Sequence, residues 1–235
     1  MSRNTKKEGL IAFLFTSVGK KYVMALSGLF LCLFLVVHLI GNLQLLKNDG
    51  GEAFNTYSYF MTHNPLIKII AYANYAFILL HAVDGTALWL QNKNARPVNY
   101  ATKDDGANSS AASRNMIWLG SLILFFLVIH MGNFWYKMKF GSLPEKAYYG
   151  FLEPVKDLYS EVITVFQNPI WVGIYLLGLV SLAFHLQHGF QSAFQSLGLR
   201  HKKYLGIIVN VGFWAFGILI PLGFAIIPLF VLFTK

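Results

Sequence analysis

The chain reads as five long apolar runs separated by shorter polar connections, at about residues 22–46, 66–91, 114–138, 168–198 and 203–233. Each approaches or exceeds the roughly 20 residues an α-helix needs to cross the hydrocarbon of a bilayer. None shows the period-two alternation of a half-buried strand. The pattern predicts an all-α fold, an integral membrane bundle of five transmembrane helices, with residues 1–235 forming a single membrane domain. The first run is not expected to be a cleavable leader, because it is long, starts only after Lys20-Lys21 and lacks a small-residue cleavage site. Two connections, Glu52 to Met61 and Pro144 to Phe166, set Tyr, Phe and Leu at helical spacing among Glu, Lys and Asn. They are expected to be interfacial helices lying over one end of the bundle. The connection from Asn92 to Ser113 is polar and aperiodic, and it predicts a solvated loop available for docking a partner.

Composition agrees: 56% of residues are hydrophobic and only 12% charged, with a mean hydropathy of +0.52, too apolar for a soluble domain. The net charge of +9 needs a reason, and topology supplies one. With the N-terminus inside, Arg3, Lys6, Lys7, Lys20, Lys21, Lys93, Arg96, Lys103, Arg114, Arg200, Lys202 and Lys203 share the inner face. The cations left on the other side are diluted by carboxylates, so the positive-inside rule predicts N-in and C-out. A nucleic-acid partner is not required. The single cysteine, Cys32, excludes a disulfide or a cysteine-ligated cluster within the chain.

Four histidines interrupt the apolar runs: His38 in LFLVVHLIGN, His81 in FILLHAVDG, His130 in FFLVIHMGN and His185 in LAFHLQHGF. A charged group at the membrane centre costs about 2.5–3.5 kcal/mol on insertion scales. A lone histidine in such a helix is more often a hydrogen-bonding group between helices than a ligand. Four of them in paired contexts point elsewhere. Runs one and three share FLVVHLIGN and FLVIHMGN, each with a glycine ten residues before the histidine, Gly28 and Gly120. Runs two and four share H-x-x-x-G, in His81 to Gly85 and His185 to Gly189. Depth gives the same pairing, because runs one and three cross outward and runs two and four inward. His38 and His130 then lie about 6–8 Å toward the outer face, and the two pairs stand about 12 Å apart.

Two b-type haems, each held between two imidazoles, fit that arrangement. A bis-imidazole iron is six-coordinate and passes electrons instead of binding oxygen. No C-x-x-C-H is present, so attachment is expected to be non-covalent. Four histidines at two depths cannot form one zinc tetrahedron. His188 lies about 60° round the helix from His185 and is expected to be a ring neighbour or a packing residue, while His63 and His201 sit at the membrane edges. Candidate propionate and pocket residues are Ser27, Lys93, Arg96, Arg114 and Trp118, with Gly28, Gly85, Gly120 and Gly189 making room for a flat ring. Each cation also reads as positive-inside charge, and Ser27 as a headgroup contact. Asp84 is the one acidic residue at membrane depth, a candidate for proton relay or for orienting a ligand.

The chain resembles the cytochrome b membrane anchor of succinate:quinone oxidoreductases, the single-chain, five-helix, two-haem type (the b558 family). The resemblance covers nearly the whole chain. It rests on KKYVMALSGLF, HLIGN, HAVDG, SRNMIW and, most specifically, FHLQHGFQSAFQSLG. It implies a multi-pass protein of the bacterial inner membrane that relays electrons from an iron-sulfur subunit, docked with a flavoprotein subunit on the cytoplasmic side, to a membrane quinone. By the same resemblance His81 and His185 hold the haem nearer the iron-sulfur subunit, and His38 and His130 the distal one. The dicarboxylate chemistry belongs to the partners, since the chain has no G-x-G-x-x-G for a flavin nucleotide. If quinone binds beside the outer haem, Asn42, Glu52, Asn55, Tyr57, His63 and Asn133 are candidates to hydrogen-bond it. Two other readings stand beside this one: the cytochrome b subunit of a hydrogenase, formate dehydrogenase or nitrate reductase, and a transporter whose histidines relay protons.

Overall fold

The computed structural model describes Gly9, residues 12–95 and residues 111–235. Arg96, and most of the connection expected to be a docking loop, lie outside the described residues. The structure is mostly helical, with five helices long and apolar enough to cross a membrane: Ser17–Leu46, Pro65–Asn94, Met116–Phe140, Pro169–Ser196 and Lys202–Thr234, here spans one to five. The hydropathy runs therefore located every span to within a few residues.

The ends follow from local chemistry. Thr16 caps span one by accepting from Gly19 N. Asn64 and Asn168 cap spans two and four, each followed by a proline at the first helical position, where the missing N–H would have had no helical partner. Span five widens to a π-helix over Val211–Leu219 just before Pro221. Proline has no N–H and its ring crowds the carbonyl four residues earlier, so the turn opens there. Span three widens at Met131–Tyr136, immediately after His130.

Span one packs against spans two, four and five, span four against one, three and five, and spans two and three touch. Spans one to four thus make a square in chain order, with one opposite three and two opposite four. Most large apolar side chains point outward, among them Leu79, Val83, Phe125 and Val128, as helices facing lipid do.

The densest core is not at mid-bundle. Leu45, Phe54, Tyr159, Val162, Phe166, Val172, Tyr175, Ile227 and Val231 cluster where the connections after spans one and three meet the end of span five. One of those connections is helical as expected, at Glu52–His63. The other corrects the expectation: only Leu158–Phe166 is helical, and residues Glu145–Lys146 and Val155–Lys156 pair as a short antiparallel hairpin. Pro144, Pro154 and Gly150, the last at φ 85°, break any helix before it. A buried polar network ties this lid. Asn55, 0% exposed, donates to Tyr148 Oη and Asp157 Oδ1, both at 2.8 Å, and accepts from Tyr159 N at 2.9 Å. Asp157 also caps the Leu158–Phe166 helix through Ser160 N and pairs with Lys146 at 2.7 Å. Burial alone would raise the Asp157 pKa, but hydrogen bonds from Lys146, Ser160 and Asn55 hold it below the usual carboxylate value.

Candidate functional site: two diagonal histidine pairs

The four histidines meet across the diagonals of the square. His38 of span one faces His130 of span three with ring centres 5.8 Å apart and planes at 88°. His81 of span two faces His185 of span four at 6.1 Å and 67°. The two levels are well separated: Gly28 stands beside His81, and His38 lies ten residues further along the same helix, about 15 Å at about 1.5 Å per residue.

A liganding imidazole nitrogen lies about 2 Å from its metal and about 1.1 Å from its own ring centre, so two imidazoles on opposite sides of one iron have ring centres about 6 Å apart. Both pairs meet that spacing. Two further features fit a ring group between them. The Nδ1 atoms of His130 and His185 are buried without a hydrogen-bond partner, a cost that ligation through that same nitrogen would remove. A Cβ at Gly28 would lie 3.1 Å from His81 Cε1, so any side chain there would crowd the ring. Among the described residues no group of three or more His, Cys, Asp or Glu could hold a metal. An iron that brings its own four equatorial nitrogens needs only two protein ligands.

The two levels are built differently. Around the pair nearer the lid, termed outer as the other is termed inner, the rings are aromatic: Phe34 and Phe224 contact His38, and Phe126, Phe134 and Tyr175 contact His130. Around the inner pair they are not. Ser27 Oγ lies 3.1 Å from His81 Nδ1 and 3.2 Å from Met24 O, a contact that leaves Nε2 of His81 available. Gly120 approaches His185, and a Cβ added there would lie 3.8 Å from the imidazole Cε1.

The glycines and methionines repeat. Met24 and Gly28 on span one correspond to Met116 and Gly120 on span three, each glycine ten residues before its histidine. Gly28 and Gly120 serve the histidines of the neighbouring spans and not those of their own. Gly85 and Gly189 sit one turn beyond His81 and His185, against the methyl groups of Met24 and Met116. The two methionines give no signal in the sequence, because a thioether on an apolar face looks like packing. Tyr175 is hidden for the same reason. It accepts from Asn133 Nδ2 at 3.2 Å.

Other candidates are dispersed. Ser27, a candidate for a propionate or a headgroup, contacts His81. Trp118 is turned outward, 69% exposed, because two residues from Gly120 is about 200° round the helix. Lys93 lies over the Trp89 ring, 5.1 Å away, and Arg114 ends a short helical turn packed near span four. His188 is half-buried in a cleft with span five. Asp84 is half-buried one turn beyond His81.

Of the residues considered for quinone, Asn42 is nearest the outer pair. Its amide donates to His38 O at 2.8 Å and lies 3.4 Å from both ring nitrogens. Tyr57 packs closely against Gly41 beside it, and burial pushes its phenol pKa up from the usual value. Glu52 is exposed, and His63 is exposed and stacked on Tyr59. Asn55 has its amide fully engaged in the lid. Asn74, which carries no motif in the sequence, is 4% exposed with an unpartnered Oδ1. It lies seven residues before His81, nearly two turns outward on the same face.

No protein family, curated protein or solved structure matches the chain.

Proposed function

We propose that this chain is a two-haem membrane cytochrome b, the anchor subunit of a succinate:quinone oxidoreductase in a bacterial inner membrane, oriented N-in and C-out. The observation that carries the reading is the pair of facing imidazoles at each of two levels, at 5.8 and 6.1 Å. A bis-imidazole haem supplies reversible one-electron transfer at each level.

The chain's own residues hold, insulate and align. His81 and His185 would hold the inner group, with Ser27 fixing the ring orientation of His81; such outer partners tune a ligand's basicity. His38 and His130 would hold the outer group inside an aromatic wall that excludes water. Asn42, Asn133 and Tyr57 are the candidates for hydrogen-bonding a quinone at that end. The basic inner face, with Lys20, Lys21, Arg114, Arg200, Lys202 and Lys203, is the proposed docking side for the iron-sulfur and flavoprotein subunits.

A pyridine haemochrome assay with a reduced-minus-oxidised spectrum on the isolated chain tests this. Two protohaems per polypeptide are expected. A colourless preparation from cells replete in iron and porphyrin overturns the reading and favours a proton-relaying transporter. Co-purification of a molybdenum or nickel subunit in place of a flavoprotein assigns the cytochrome to another quinone-linked oxidoreductase. Electrons crossing between the levels should also feel the membrane potential, about 2.3 kcal/mol per charge per 100 mV. Turnover in sealed vesicles is therefore expected to respond to an imposed potential.

A further inference from the structure

A cleft of ≈ 120 Å³ opens between the end of span four and the start of span five, and the histidine pairs do not use it. Its polar side is formed by His188, Gln191, Ser192, Gln195 and Arg200. Its other wall is apolar, with Leu205, Ile208 and Val209 along the first turns of span five. The cleft is thus amphiphilic across its width, polar on the wall from span four and Arg200 and apolar on the wall from span five. Arg200 is held over it by a bond from Nη1 to Gln195 Oε1 at 3.3 Å.

The charge around the cleft is one-sided. Among the described residues no carboxylate lines it, and no Asp or Glu occurs anywhere after Glu161. Lys202 and Lys203 follow Arg200 almost directly. Span five begins here, with His201 Nδ1 accepting from Lys203 N at 3.2 Å, so the positive end of that helix adds to the same field.

We propose that this cleft seats one anionic phospholipid. The guanidinium of Arg200 takes the phosphate, whose array of acceptor oxygens suits a planar fork of donors. Gln191, Ser192 and His188 donate to phosphate or glycerol oxygens, and an acyl chain lies along Leu205, Ile208 and Val209. Basic pockets at helix ends in the interfacial layer suit such headgroups. A zwitterionic lipid would bring an ammonium into a site where no described residue offers a carboxylate to meet it. A quinone, being neutral, would leave the guanidinium without a counter-charge.

Native mass spectrometry of the purified full chain tests the site, using mixed micelles that contain phosphatidylglycerol or phosphatidylcholine with the same acyl chains. One phosphatidylglycerol is expected to stay bound under conditions that strip phosphatidylcholine. Arg200→Gln should reduce that retention about fivefold or more, the worth of one basic residue at an anionic surface. Arg200→Lys should restore part of it, and Lys68→Gln at the opposite end should have no effect. Equal retention of the two lipids, or wild-type retention by Arg200→Gln, overturns the proposal. Displacement by millimolar inorganic phosphate would make this an ion site, and displacement by a quinone analogue a quinone site; either result overturns it as well.

Discussion

The outer and inner histidine pairs have nearly the same ring spacing and almost opposite surroundings. The outer pair is walled by five aromatic rings, from Phe34, Phe126, Phe134, Tyr175 and Phe224, and stands beneath the densest core of the molecule. The inner pair has, among the described residues, no ring contact except each other. It relies on Gly28, Gly120 and the hydroxyl of Ser27. Large side chains locked by packing hold one site, and close backbone approach with a single hydrogen bond holds the other. The lesson is that one ligand geometry can be preorganised by two different means, and that the two should fail differently.

The hardest test of that contrast removes a ligand. Ala at His81 or His185 is expected to abolish only the inner absorbing centre, and Ala at His38 or His130 only the outer, so that the haemochrome count falls from two to one. A single variant that bleaches both would show that the levels are not independent. Next in size is Gly28→Val, whose branched side chain has no room beside the His81 ring. It should lose the inner centre and keep the outer. Gly120→Val, starting from the looser 3.8 Å approach, should weaken it less.

The lid offers a mirror-image test at the outer end. Asn55→Ala leaves a buried carboxylate and a backbone N–H short of partners, a loss of about 1–3 kcal/mol. Thermal bleaching of the outer centre should therefore move to lower temperature, with the inner one little affected. Asp157 adds a pH signature. Its pKa is depressed in the folded chain, so its stabilisation is complete above the unfolded value and is lost as pH falls through the folded one. The lid is expected to loosen only in acid below the ordinary aspartate range, and Asp157→Asn should remove that step while lowering stability at neutral pH. Smallest is Ser27→Ala, which should leave both haems bound and shift only the inner one's absorption and potential. Unchanged spectra for both would show that Ser27 does not orient His81.

Much of this is legible along the chain. Apolar run length locates the spans, because a helix in lipid must satisfy its backbone internally and must be long enough to cross. The pairing of His38 with His130 and of His81 with His185 is also readable, since alternating chain direction converts position along a span into depth. What fails is azimuth. Trp118 is a candidate for the inner site yet faces outward, and the sequence gives no sign that the Ser27 hydroxyl meets His81. Asn55 is a candidate quinone contact, yet its amide is used up within the lid. The Pro144 to Phe166 connection is expected to be one helix, although its own prolines and glycine argue for the hairpin.

By itself, then, the sequence determined the number of spans, their order and the position of each histidine along its span, because those depend on distances measured along a helix. Only the tertiary structure decided that the pairs lie on the two diagonals of a four-helix square. It also decided that glycines of the odd spans serve histidines of the even ones, and that one level is aromatic and the other glycine-lined. Those features depend on which face each helix turns to its neighbours. A uniformly apolar helix leaves that choice open until its partners pack against it.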